Sequence, residues 1–143
     1  MTGRVLGVDV GARRVGLAIS DASGTLARPL DTIAVSSEAD AVDRVAERVD
    51  ALARDEDGLA AIVVGMPSSL EGKKTPESLR VAAFVAALAQ RTPLAIAVQD
   101  ERLTSVEAES RLAMQERDWK KRKEKLDAAA AAIILQDYLD SEH

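Results

Sequence analysis

Two short runs near the N-terminus alternate strictly, and the four residues between them favour one kind of connection. In residues 4 to 10, Leu6, Val8 and Val10 alternate with Val5, Gly7 and Asp9, the period of a strand whose two faces differ. In residues 15 to 20, Val15, Leu17 and Ile19 alternate with Gly16, Ala18 and Ser20. The polar link Gly11-Ala12-Arg13-Arg14 predicts a hairpin, and its length puts Asp9 opposite Gly16. Asp9 therefore shares a face with Gly7, Gly16 and Ala18. A carboxylate among apolar neighbours is costly to bury without compensation. The small neighbours predict open space beside it, suited to an ion and a phosphate. An Asp bonded to backbone amides near the turn is the alternative.

The rest of the chain continues the pattern. A third strand is expected from about Leu26 to Val35, and Pro29 makes it an edge strand. Ser37 caps a helix in which Val42, Val45, Val49 and Leu52 recur at helical spacing, ended by Asp55-Glu56-Asp57-Gly58. Ile62, Val63 and Val64 read as a strand covered on both faces. Thr75-Pro76 opens a helix to about Gln90, and Leu94 to Gln99 reads as a strand. Thr104 and Glu107 form a capping box for a helix toward Met114, and residues 126 to 140 form the last helix. This order, β-β-β-α-β-α-β-α-α, predicts an α/β fold. A five-stranded mixed sheet flanked by helices is the element order of RNase H-like domains. Residues 1–143 are expected to form a single domain.

Composition then narrows the chemistry. Cys is absent, which excludes thiol catalysis and Cys-built metal sites, and the one His is His143, which argues against imidazole catalysis and His-rich metal sites. Acid, base or metal chemistry then falls to carboxylates, Lys, Tyr or hydroxyls, a restriction that favours oxygen-loving Mg2+ or Mn2+. No stretch is long enough to cross a bilayer and no secretory pattern opens the chain, so a soluble cytoplasmic protein without a membrane partner is expected. The net charge of −5 argues against a polyanionic partner until its distribution is considered. Residues 38 to 57 hold eight acidic and three basic side chains, whereas residues 117 to 125 hold two acidic and six basic ones. One face can bind nucleic acid while the other keeps the protein soluble.

Two further carboxylates are candidates to join Asp9. Asp127 opens the last helix, where an acidic residue commonly caps it or meets its dipole. It also shares a helical face with Ala130, Ala131, Ile134 and Tyr138, which turns it toward the core. The alanines at 128 to 132 would let that helix approach the sheet closely. Glu101 follows a strand, at the carboxyl end where open α/β sheets place ligands. Its neighbour Asp100 competes for the same role, and Glu101 is preferred for its longer reach. Asp9, Glu101 and Asp127 are thus the candidate catalytic residues and metal ligands for one or two ions acting on a phosphodiester. Arg117 to Lys125 reads as a mobile basic loop beside Asp127. In it, Lys120, Lys121, Arg122 and Lys123 would contact phosphates while Trp119 stacks on a base, or Trp119 simply packs on the core. Arg13, Arg14, Lys73, Lys74 and Arg102 would widen the basic surface, although each alone is an ordinary surface charge. Gly65-Met66-Pro67 marks a tight strand exit.

Several ordered motifs together resemble the YqgF family, also called RuvX. They are GVDVGARRVGLAISD at 7 to 21, ARPL at 27 to 30, IVVGMP at 62 to 67 followed by Gly72, DERLTSVEA at 100 to 108, and KLDAAAAAIILQDYL at 125 to 139. Members are described as candidate pre-16S rRNA nucleases or Holliday-junction resolvases. The resemblance implies an RNase H-like fold with an acidic metal site, and carries catalytic roles onto Asp9, Glu101 and Asp127. The chain departs from the family pattern at Val10 and Ala12, where an aromatic residue and Thr are usual. It departs again at Ser68-Ser69-Leu70-Glu71, where Leu-Asn-x-Asp is common. The main expectation is a metal-dependent endonuclease maturing the 5′ end of pre-16S rRNA, with the RNA preference implied by the resemblance alone. Its partner would be structured RNA or branched DNA, and the chain a monomer or homodimer. A four-way-junction resolvase is the nearest alternative. A phosphotransferase is a different class, since Gly7-x-Asp9-x-Gly11 also resembles the phosphate-binding opening of actin-like ATPases, but those need two such lobes. A non-catalytic nucleic-acid-binding module is the third.

Overall fold

A computed structural model describes residues 3–67, 74–101 and 119–142, with the side chains of residues 119–125 outside that set. The hairpin forms as its alternation requires. Strand β1 (Arg4–Val10) pairs antiparallel with β2 (Arg14–Ser20), and Asp9 lies opposite Gly16. Strand β3 (Ala27–Ala34) pairs antiparallel with β2 and occupies the sheet edge, with Pro29 beside a register shift where a missing N–H is tolerated. Helix α1 (Glu38–Arg54) starts at Ser37, whose hydroxyl accepts from the Asp40 N–H at 3.0 Å. The predicted stripe of Val42, Val45, Val49 and Leu52 is buried. Strand β4 (Leu59–Met66) then runs parallel to β1. Helix α2 (Pro76–Ala89) opens on Thr75, which forms a reciprocal capping box with Ser78. Strand β5 (Ala95–Asp100) runs parallel to β4 and completes the order β3-β2-β1-β4-β5.

The last helix, α3 (Trp119–Ser141), begins before the expected residue 126. Trp119 to Lys125 therefore continue the helix and do not form the expected mobile loop. The run contains no Gly or Pro and is rich in Lys, Arg and Glu, all good helix formers, so its charge had disguised its propensity. Asp127 consequently lies well inside the helix, which removes the capping role considered for it. The helix expected at 104 to 114, with Thr104 and Glu107, lies outside the described residues.

The mixed sheet carries helices on both faces. Leu6, Val8, Leu17, Ile19, Ile62 and Val64 are buried against α1 and α2. On the other face Val5, Ala18, Ala61 and Val63 meet Ala131, Ile134, Leu135 and Leu139 of α3. Gln136 fixes the helix to the sheet edge: its Oε1 accepts from the Ala27 N–H at 2.9 Å and its Nε2 donates to the Thr25 carbonyl at 3.0 Å. No helix among the described residues is long and apolar enough to cross a membrane.

Candidate active site

Glycines on the α3 face determine how near that helix comes. A Cβ on Gly7 would lie 2.8 Å from the Leu135 Cβ and 3.0 Å from the Ala131 carbonyl oxygen. One on Gly16 would run into the Asp127 carbonyl group and lie 3.0 Å from the Ala128 N. The space beside Asp9 is thus not left open, as the sequence had suggested. Helix α3 fills it, because backbone without a side chain admits another backbone. Since Gly16 faces Asp9 across the hairpin, the contact brings Asp127 beside Asp9.

Asp9 is half-buried near the end of β1 and hydrogen-bonds to Glu101. Glu101 follows β5, and its backbone N–H donates to the Met66 carbonyl at 3.1 Å. Its carboxylate lies over Gly65, where a Cβ would stand 2.7 Å from Oε2. Asp100 ends β5 and is exposed. Of the two neighbours, Glu101 is the one that reaches Asp9. Burial raises the Asp9 carboxyl above its ordinary range, the hydrogen bond from Glu101 opposes this, and the Asp127 charge adds to it. Glu101 is pushed up to about 8, first by burial and then by Asp9, with smaller contributions from Asp100 and Glu77. Burial and mutual charge thus favour a proton shared by the pair.

Asp127 acts on Asp9 through space and meets a cation of its own: Arg14 Nε lies 2.8 Å from its Oδ2. Among the described residues, no three acidic or histidine side chains are already arranged to enclose an ion. The donor set nevertheless fits a divalent cation. It consists of hard carboxylate oxygens, and the raised carboxyls retain a proton where a cation would relieve the same crowding.

The candidate phosphate contacts fall into three groups. Arg13 and Arg14 stand at the hairpin turn beside Asp9, with Arg13 exposed and Arg14 engaged with Asp127. Lys74 is exposed just before α2. Trp119, Lys120, Lys121, Arg122 and Lys123 lie in the helical turns preceding Asp127. Lys73 and Arg102 lie outside the described residues, as do Arg117 and the Ser68-Ser69-Leu70-Glu71 departure. Sequence reading missed three contributors: Gly65 as the floor under Glu101, Glu77 as a charge acting on it, and Arg14 as the partner of Asp127. Gly65 carried a usable signal, being the one glycine in an otherwise continuous apolar strand on the same face as Val63.

The family model for RuvX, described as a Holliday junction resolvase, matches residues 3–141. The chain belongs to the RuvX family. A RuvX relative from Thermoanaerobacter pseudethanolicus, named as a candidate pre-16S rRNA nuclease, is 40% identical over 141 residues, 97% of each chain. One of the same name from Chloroflexus aggregans is 42% identical over 137 residues, covering 96% of this chain and 93% of the relative. Among solved structures, Thermus thermophilus RuvC in complex with a Holliday junction substrate superposes with a TM-score of 0.56 at 18% identity, over 98% of this chain and 95% of that one. The likeness to RuvC establishes the RNase H-like fold of this RuvX chain.

Proposed function

We propose that the chain is a metal-dependent endonuclease that hydrolyses phosphodiester bonds in nucleic acid, with the 5′ end of pre-16S rRNA as its substrate. The observation that carries this reading is the contact between Asp9 and Glu101 at the carboxyl ends of β1 and β5, with Asp127 beside them. The names of the RuvX relatives support the RNA substrate. In this reading Asp9, Glu101 and Asp127 are the catalytic residues and hold Mg2+ or Mn2+. A divalent ion there supplies activation of the attacking water and stabilisation of the departing oxygen. The chain's own residues do the rest. Gly16 and Gly65 let the carboxylates converge, and burial keeps Asp9 and Glu101 poorly hydrated. Arg13, Lys74 and the basic turns of α3 hold the phosphate backbone by charge, without reading sequence. The reading includes a single domain, a cytoplasmic location and a monomer or homodimer.

A resolvase acting on four-way DNA junctions is the second reading, favoured by the description of the RuvX family model. It requires a two-fold dimer presenting two sites. One experiment addresses both readings: a precursor rRNA fragment and a synthetic four-way junction are incubated with Mg2+ or Mn2+ and either wild type or Asp9→Asn. Precursor cleavage by wild type is expected. Asp9→Asn should reduce it by more than the roughly 10- to 100-fold typical of losing an outer-shell partner. Preferential cleavage of the junction by a stable dimer selects the second reading, and equal cleavage by both proteins sinks the catalytic assignment. Nucleic-acid binding without metal-dependent cleavage, unchanged by Asp9→Asn, selects a non-catalytic module.

A further inference from the structure

Arg14 stands between the acidic cluster and a closed ligand set. Its Nε approaches a buried oxygen of Asp127 to 2.8 Å, a close charge contact without the alignment of a hydrogen bond. While that contact stands, Asp9 and Glu101 bond to each other and Asp127 acts on Asp9 only through its charge. A guanidinium and a divalent cation compete for the same carboxylate lone pairs. Arginine, however, also matches the oxygens of a phosphate, which it can grip with two parallel hydrogen bonds. Arg14 is the first residue of β2 and follows the exposed Arg13 in the hairpin turn at the Asp9 end of β1. A phosphodiester approaching Asp9 and Glu101 would pass this turn. The Arg14 side chain is only half-buried, so solvent-borne phosphate can reach it.

We infer that Arg14 is a positioning residue that occupies Asp127 in the free protein and is drawn off by substrate phosphate, so that binding of nucleic acid completes the carboxylate set. The inference rests on the nuclease reading of the same three carboxylates. It goes further by making metal and nucleic acid mutually dependent ligands, because linkage requires each to raise the affinity of the other by the same factor. The arrangement would keep a tightly held ion from acting before substrate is in place.

The test measures Mn2+ binding by the full chain, using titration calorimetry with and without a single-stranded oligoribonucleotide. The strand's own Mn2+ uptake is subtracted, and its integrity is verified on a gel. For wild type the oligonucleotide should raise Mn2+ affinity about tenfold, within the usual range of coupling between sites. A methylphosphonate oligomer of the same sequence, whose backbone is uncharged, should not. Arg14→Gln should bind Mn2+ about tenfold more tightly without nucleic acid, with the oligonucleotide adding nothing further. Arg14→Lys, which keeps the charge but loses the two-pronged grip, should fall between them and serves if Arg14→Gln does not fold. A folded Arg14→Gln with wild-type affinity and coupling overturns the inference, as does equal coupling by the uncharged oligomer. If Arg14→Gln does not fold, Arg14→Lys with unchanged affinity and coupling overturns it too. Wild type that cleaves RNA while its coupling ignores Arg14 leaves the nuclease reading intact. Wild type that binds no Mn2+ in either condition overturns both.

Discussion

Gly16 and Leu17 are neighbours on β2 and face different helices. Leu17 is fully buried among Val8, Ile19, Val45 and the other aliphatic residues beneath α1 and α2. Gly16 contributes no side chain and is covered by the backbone of α3 at Asp127. The first face is filled by side-chain volume, and its helices supply none of the three carboxylates. The second is filled by a helix in near-contact with strand backbone, so a small displacement there moves Asp127. Stability and site geometry are therefore expected to separate by face, although both faces belong to one sheet.

The most disruptive way to probe this separation is to empty the first face. Leu17→Ala should lower unfolding free energy by about 2 to 5 kcal/mol, through lost transfer energy and the cavity left behind. Cleavage per folded molecule should stay near wild type, measured well below the lowered melting temperature. If cleavage falls with stability, the two faces are not independent. The next probe overfills the second face. Gly16→Ala adds one methyl that meets the Asp127 carbonyl group, and overpacking of this kind costs about 1 to 3 kcal/mol. Here cleavage should collapse in folded protein, because α3 must move off the sheet and take Asp127 with it. A Gly16→Ala protein that is less stable but fully active would show that Asp127 need not sit where this contact holds it.

The same two residues show what the sequence could and could not convey. The hairpin register was legible because a period of two and a four-residue link leave little freedom, and the apolar stripe of α1 was legible from its helical spacing. Gly16 was legible only as a missing side chain. What fills the gap comes from the far end of the chain: the alanines at 128 to 132 signalled a helix able to approach the sheet closely, but no local pattern showed that it would close over Gly16 itself, so space was expected there. The basic run from Trp119 to Lys125 was misread for a related reason: charge density suggested a loop, while helix propensity depends on the backbone preference of Lys, Arg and Glu. The choice between Glu101 and Asp100 turns on side-chain direction after the strand, which only the folded chain displays. Glu77, which helps raise Glu101, lies on another element and had no sequence signal linking it to the site.

The gentlest probe compares the buried carboxyls with an exposed one. Asp21 lies in an open turn, where Ser23 and the Thr25 and Leu26 N–H groups donate to its carboxylate and lower it to about 2. Its contribution to stability is present above its ordinary value of 3.8 and is lost as pH falls toward 2. Glu101 behaves in the opposite sense. Its folded-state value, raised from 4.5 to about 8, means that folding favours the protonated form. Its contribution is complete below 4.5 and is lost as pH rises through about 8. Chelator-treated wild type should therefore lose unfolding free energy between pH 5 and pH 9, measured by denaturant titration, and Glu101→Gln should flatten that slope. Mg2+ should restore stability at the alkaline end in wild type, by binding the folded state alone. If wild type and Glu101→Gln show the same slope, the proton between Asp9 and Glu101 contributes nothing to folding, and the crowding inferred at this end of the sheet is absent in solution.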